Sequence, residues 1–340
     1  MHSRSRLSPP NALIPLDPFF LRTHGRKQTE NALRRIVCSV KFELMERANA
    51  VRLLGPDMNY HHVDPYLSET LKNFEPDMTL TDVLSYRSST RYFDLCFEDS
   101  WTGYFIAKRF REQGRGNDLV LIHLDDHTDM MPTLLCQSRE SLIDPTSGAT
   151  FDPTSSRDWK AAIYSGAVNI GNFITPFFYC GCNIHVRHIN NSTECDELCQ
   201  ISRESCRYEL IPHKQFAAIA KSSFCRPENV GTYMAGSCPD RILDGVLQAW
   251  TLVHIDLDYF INDFNGASRG ASYIPDPVLR TKAREKMDRF FHSLAKVNPS
   301  IDHWLIATSP GFCSAYHWEW LLSEIERKIQ EFEEMQVKSI

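Results

Sequence analysis

The chain has 340 residues, 42% of them hydrophobic and 24% charged, with a formal net charge of -6. That length fits two domains or one α/β domain with long insertions, and the composition excludes disordered and fibrous classes. The mild acidic excess, with no Lys/Arg-rich stripe interleaved with aromatics, argues against nucleic acid and slightly favours cationic substrates.

The N-terminus "MHSRSRLSPPNALIPLDPFF" has no apolar run followed by a small-residue cleavage site, and no window approaches a membrane span. The eleven cysteines, an odd number, therefore read as reduced thiols in a cytoplasm. Residues 1 to 26 look irregular. From Thr29, "TENALRRIVCSVKFELMERANAVRLL" predicts a helix, with Leu33, Ile36, Val37, Val40, Leu44 and Val51 recurring at spacings of about three and four. The region to about residue 90 is expected to be a partly helical extension without a run of parallel strands.

A different grammar follows. "RYFDLCFED" reads as a strand ending in acid, and "SWTGYFIAKRFREQG" as a helix with Ser100 as N-cap and Gly114 just past its end. "DLVLIHL", "TLVHIDLDYF" and "HWLIATS" are short continuous apolar runs, the mark of strands covered on both faces, hence of a mainly parallel sheet. "DPVLRTKAREKMDRFFHSLAKV" opens a helix with Asp276 as N-cap and Pro277 at its first position. "WEWLLSEIERKIQEFEEM" places Trp318, Leu322, Ile325, Ile329 and Phe332 on one helical face. The Cys-rich segment from Cys180 to Cys206 reads as an insertion or long loop. A zinc site from Cys182, Cys195, Cys199 and Cys206 lacks paired CxxC knuckles, so plain thiols are the simpler reading. No P-loop, dinucleotide-binding turn, HExxH helix or nucleophile elbow is present.

Ligands of open parallel sheets bind beyond the carboxyl ends of the strands. In "LVLIHLDDHTDMM" the residues Asp125, His127 and Asp129 alternate with a period of two, and Asp256 and Asp258 do likewise in "VHIDLDYF". Asp126, His123 and His254 read as supporting or packing groups. A lone Asp-x-Asp at a strand end is usually a turn or cap. Two such clusters, one with a histidine, point instead to metal, because four buried carboxylates repel one another unless a cation neutralises them. Oxygen-rich ligands with an imidazole suit Mn²⁺, and the charge count fits a pair of divalent ions.

"LDDHTDM" and "HIDLDYF" resemble the Asp-x-His-x-Asp and Asp-x-Asp motifs of the ureohydrolases, the arginases and agmatinases. The likeness is closer to a divergent branch that includes the peptide arginases of ribosomal peptide natural-product pathways. "FEDSW", "AVNIGNFITP" and "IATSPGF" are similar to that branch's other blocks, and the resemblance covers about residues 91 to 325. It implies a three-layer α/β/α sandwich with a mainly parallel sheet, arginase/deacetylase-like, over residues 91–340, with residues 1–90 as an N-terminal helical extension.

The resemblance also implies two Mn²⁺ ions bridged by Asp125 and Asp256. His127 and Asp258 would complete one shell, and Asp129 would bind the other ion and orient the attacking water. Where the family has a metal-binding histidine after an aspartate, this chain has Ser100 after Asp99, so the first ion is expected to be loosely held, to be bound by Asp99 or Glu98, or to be absent. Where arginases carry a glutamate for the guanidinium, Thr308 and Ser309 stand here, so that role falls to another acid such as Asp126 or Glu319. Asn169 and Asn172 are candidates to line the pocket or to cap a turn. The implied activity is hydrolysis of an arginine side chain in a peptide to ornithine and urea, with Asp129 and Asp126 catalytic and Asn169, Asn172 and Ser309 on substrate. The alternatives are a deacetylase-like amide hydrolase and a non-catalytic binding protein on the same fold. The expected partner is an arginine-containing or precursor peptide, with no membrane or nucleic acid; a homo-oligomer is left open.

Overall fold

The computed structural model describes residues 13–37, 40–113, 118–138, 141–192, 197–246, 249–266 and 277–338. Its centre is six parallel strands: β1 (Phe93–Cys96), β2 (Leu119–Leu124), β3 (Ile184–Ile189), β4 (Asn229–Gly236), β5 (Trp250–Asp256) and β6 (His303–Ala307). They lie in the order β1-β6-β5-β2-β3-β4. Antiparallel strands extend both edges: Arg87–Ser89 beyond β1, and the hairpin Cys199–Tyr208 with Ile211–Ser222 beyond β4. With three further short strands the mixed sheet reaches 12 strands.

The apolar runs forecast the layering. Every residue of β2 and β5 is buried. Alternation then sends Leu119 and Leu121 into one hydrophobic cluster, with Trp101, Phe105 and Phe110 of helix Ser100–Gln113 and Trp159 of helix Ser156–Ser165. Val120, Ile122 and Leu124 enter the other cluster, against helices Pro277–Val297 and Trp318–Lys338. The last helix buries Trp318, Ile325, Ile329 and Phe332 as its spacing predicts, with Leu321 rather than Leu322 fully buried. Ser100 is the first residue of its helix rather than the cap; Gly114 and Asp276 lie outside the described residues.

Two expectations fail. The helix read from Thr29 onward is instead the end of a helical segment Pro18–Ile36, capped by Asp17 and kinked at Gly25, followed by strands Val40–Met45 and Ala50–Pro56. Val40, Phe42 and Leu44 alternate with Lys41 and Glu43, a period of two that the neighbouring helical spacing concealed. These strands form a three-stranded sheet with Leu13–Pro15, and Ile14, Leu33, Val51 and Leu53 join the same cluster as Trp101.

The Cys-rich segment is not an insertion either: it contains β3, in the middle of the sheet. His185, Arg187 and His188 interrupt its apolar pattern, yet Val186, Arg187, His188 and Ile189 are all buried. Cys180 and Cys182 lie with sulfurs 2.9 Å apart, Cys195 is outside the described residues, and no cysteine joins a metal-holding group among the described residues. Among the seven helices described, none is long and apolar enough to cross a membrane.

Candidate metal centre

The chain runs from β2 outward to β3 and β4, and from β5 the opposite way to β6, so the topology switches between β2 and β5. Parallel sheets open a crevice at such a point, outside the carboxyl ends of the strands. A cavity of about 500 Å³ lies there, lined by Asp99, Asp125, Asp126, His127, Asp129, Asp256 and Asp258, with Met131, Ile170 and Phe312 as apolar wall.

The register of β2 on β5 sets His123 opposite His254 and Leu124 opposite Ile255, so Asp125 and Asp256 leave the two strand ends side by side. Both then use one oxygen to fold the chain. Asp125 Oδ1 accepts from the backbone N–H of His127 at 2.6 Å, and Asp256 Oδ1 accepts from that of Asp258 at 2.9 Å. These are aspartate turns, and they leave Asp125 Oδ2 without a hydrogen-bond partner and Asp256 Oδ2 to the hydroxyl of Ser309. Asp125, His127 and Asp129 are therefore gathered by a tight turn, with Asp129 at φ 49°, and not by an extended strand. The capping role of the two motifs therefore does not preclude a ligand role.

Asp99, Asp125, Asp129, Asp256 and Asp258 are each no more than 5% exposed. Burial, joined by neighbouring carboxylates, raises the pKa of Asp125, Asp129 and Asp256 well above the usual range, and that of Asp99 to about 8. His127, hydrogen-bonded to Asp125 and Asp258, is pushed up to about 11. Among the buried side-chain atoms without a hydrogen-bond partner are Asp99 Oδ1, Asp125 Oδ2, Asp129 Oδ2 and His254 Nε2. Unpartnered buried oxygens are costly. Their convergence is the donor set a cation satisfies.

Three groups have ligand atoms within 4.8 Å of one another: Asp99 with Asp125 and Asp256; Asp125 with His127 and Asp258; and His123 with Asp125 and His254. Asp125 belongs to all three. Asp99 takes a place in the cavity, while Glu98 turns away to Tyr60 and His61.

The remaining candidates separate. Asn169 lines the cavity; Asn172 does not, but accepts from Asn169 N and donates to Pro132 O, holding the turn. Ser309 lines the cavity at φ 47° and donates its hydroxyl to Asp256 Oδ2, which orients that carboxylate. Asp126 is an exposed rim acid held by the amides of Asn191 and Asn262 at 2.9 and 3.1 Å. Glu319 is exposed and is not among the cavity residues.

His123 and His254, read as supporting or packing groups, lie directly beside the carboxylates. His123 shares the parity of Asp125, and its Nε2 lies 3.5 Å from Asp125 Oδ2 and 3.7 Å from Asp129 Oδ2. His254 Nε2 lies 2.8 Å from Asp99 Oδ1. With His188, which pairs with His123 in register and holds Asp125 O at 3.0 Å, they form a buried row of imidazoles beneath the carboxylates. Counting residues in "HLD" and "HID" would have found the first two. His188 had no such signal.

Fold and site together define an α/β protein with a buried Asp/His cluster able to hold metal at the switch point of its sheet. No protein-family model and no curated protein matches the chain.

Proposed function

We propose that this protein is a metal-dependent hydrolase of the ureohydrolase type, binding two divalent ions, Mn²⁺ by ligand chemistry, and hydrolysing the guanidinium of an arginine side chain to ornithine and urea. The observation that carries the reading is a cavity lined by six aspartates and, among the described residues, by no lysine or arginine. Such a wall attracts cations, both metal and substrate. Asp125, His127, Asp129, Asp256 and Asp258, with Asp99, would hold the ions. Divalent ions bound there supply Lewis acidity and make water a nucleophile at neutral pH.

The chain's own groups do the rest. Asp129, buried with a free oxygen over the cavity, takes the proton of the attacking water and returns it to the departing amine. Ser309 fixes the rotamer of Asp256 by its hydrogen bond. Asp126 at the rim pairs with the incoming guanidinium, and Met131, Ile170 and Phe312 pack on its aliphatic stem and exclude water. A peptidyl substrate rests on the resemblance of the motifs to the peptide-arginase branch. Purified protein with Mn²⁺ and an arginine-containing peptide is expected to release urea and lower the peptide mass by CN₂H₂ per converted residue. Unchanged peptide with Mn²⁺, Co²⁺, Fe²⁺ and Zn²⁺ in turn refutes the activity.

A further inference from the structure

We infer that His254 is a metal ligand of this centre, presenting Nε2 beside Asp99, and that His123 fixes the tautomer that makes this possible. The inference rests on the reading of the carboxylate cluster as a divalent-ion site. His123 Nε2 lies 3.3 Å from the backbone oxygen of His127, an acceptor only, so that nitrogen carries the hydrogen. In a neutral ring its Nδ1 is then a bare acceptor. His254 Nδ1 lies 2.9 Å from it and must be the donor. The remaining nitrogen of His254, Nε2, is left with an exposed lone pair. It faces Asp99 Oδ1 at 2.8 Å, and both atoms lack a hydrogen-bond partner.

Two acceptors held this close, both buried, are bridged by a proton on the Asp99 carboxyl in the metal-free protein and by a shared cation when metal displaces it. The chain of bonds from His127 O through His123 to His254 is the usual way an outer partner aims an imidazole at a metal. The strand register supplies it, since His254 and His123 are direct neighbours on β5 and β2. Ser100, in the first turn of its helix, offers no nitrogen. The adjacent strand offers one instead.

Mn²⁺ titration followed by calorimetry and electron paramagnetic resonance tests this on the full chain. Wild type is expected to bind two ions; His254→Phe is expected to keep the ion of Asp125, His127 and Asp258 and lose the other. His123→Phe is expected to weaken the second ion roughly 10- to 100-fold. Wild type binding no ion refutes the function reading; variant and wild type binding two ions with equal affinity refutes only the role of His254. Should a variant not fold, wild type with isotope-labelled histidines and NMR-active Cd²⁺ decides: metal–nitrogen coupling to His127 and His254 is expected, and coupling to His127 alone overturns the inference.

Discussion

The phenolic hydroxyl of Tyr60 lies 2.8 Å from each carboxylate oxygen of Glu98, the neighbour of Asp99. The leading region thus braces the residue next to the candidate metal centre. His61 pairs with the same carboxylate, and Asp64 accepts from the backbone N–H of Ala315 at 2.6 Å, binding the loop that follows β6. Gly311 permits the approach: a Cβ there, at φ 86°, would stand 2.8 Å from the backbone oxygen of Tyr60. Tyr60→Phe is expected to cost about 1–3 kcal/mol in urea denaturation, because a buried carboxyl acceptor loses a donor. Gly311→Ala should cost at least as much. If both variants match wild type in stability and metal affinity, the leading region does not brace the site.

Removing a proposed metal ligand should not weaken the metal-free fold. Asp125 is buried among carboxylates that raise its pKa, so Asp125→Asn removes repulsion and keeps the shape. Thermal melts of the metal-free protein are expected to be unchanged or higher for Asp125→Asn and Asp256→Asn, while bound metal falls toward zero. A large loss of metal-free stability would mark these residues as structural.

The cluster should release protons when metal binds. Burial raises the pKa of Asp99 to about 8 and, with neighbouring carboxylates, those of Asp125, Asp129 and Asp256 well above the usual range, so the metal-free cluster holds protons more tightly than free carboxylates do. A carboxylate raised on folding contributes stability below its unfolded value and loses it as pH rises through the folded one, so metal-free stability falls through about pH 8. Saturating metal takes the protons' place and flattens the profile. Calorimetry in buffers of different ionisation enthalpy counts the protons released. A count of zero at neutral pH contradicts the electrostatic description.

An opposite sign is expected at the amino ends of β1 and β6. Asp94 is buried, which alone would raise its pKa, but His303 at 2.7 Å, Ser89 and Arg109 outweigh burial and hold it below the usual value of 3.8. A depressed carboxylate stabilises above its unfolded value, and the contribution is lost as pH falls through the folded one. Asp94→Asn is expected to cost about 1–3 kcal/mol at neutral pH. The gap should close below about pH 4, as chemical denaturation across pH will show.

Asp126 separates binding from chemistry. Its carboxylate is exposed at the cavity rim and held by two asparagine amides, so Asp126→Asn is expected to raise KM for an arginine peptide with kcat retained. Asp129→Asn should lower kcat instead. A fall in kcat with KM unchanged for Asp126→Asn would return that residue to the catalytic role its place in the motif suggested.

The sequence by itself determined four of the six strands of the parallel core, β1, β2, β5 and β6, most of the buried face of the last helix, and four acids and one histidine that line the cavity. Those features are local: burial on both faces writes continuous apolar runs, and a strand end delivers side chains within a few residues of the run. The sequence did not disclose β4, nor β3, whose His185, Arg187 and His188 break the apolar pattern although the sheet buries most of the strand. It also hid the strands Val40–Met45 and Ala50–Pro56 behind a helical spacing. Only the tertiary structure decided that β2 and β5 are neighbours in a register setting His123 against His254, that Glu98 turns to Tyr60 while Asp99 faces the cavity, and that Asn172 props a turn. Each of these depends on partners far apart in the chain, and no spacing within one segment encodes which distant segment will pack against it.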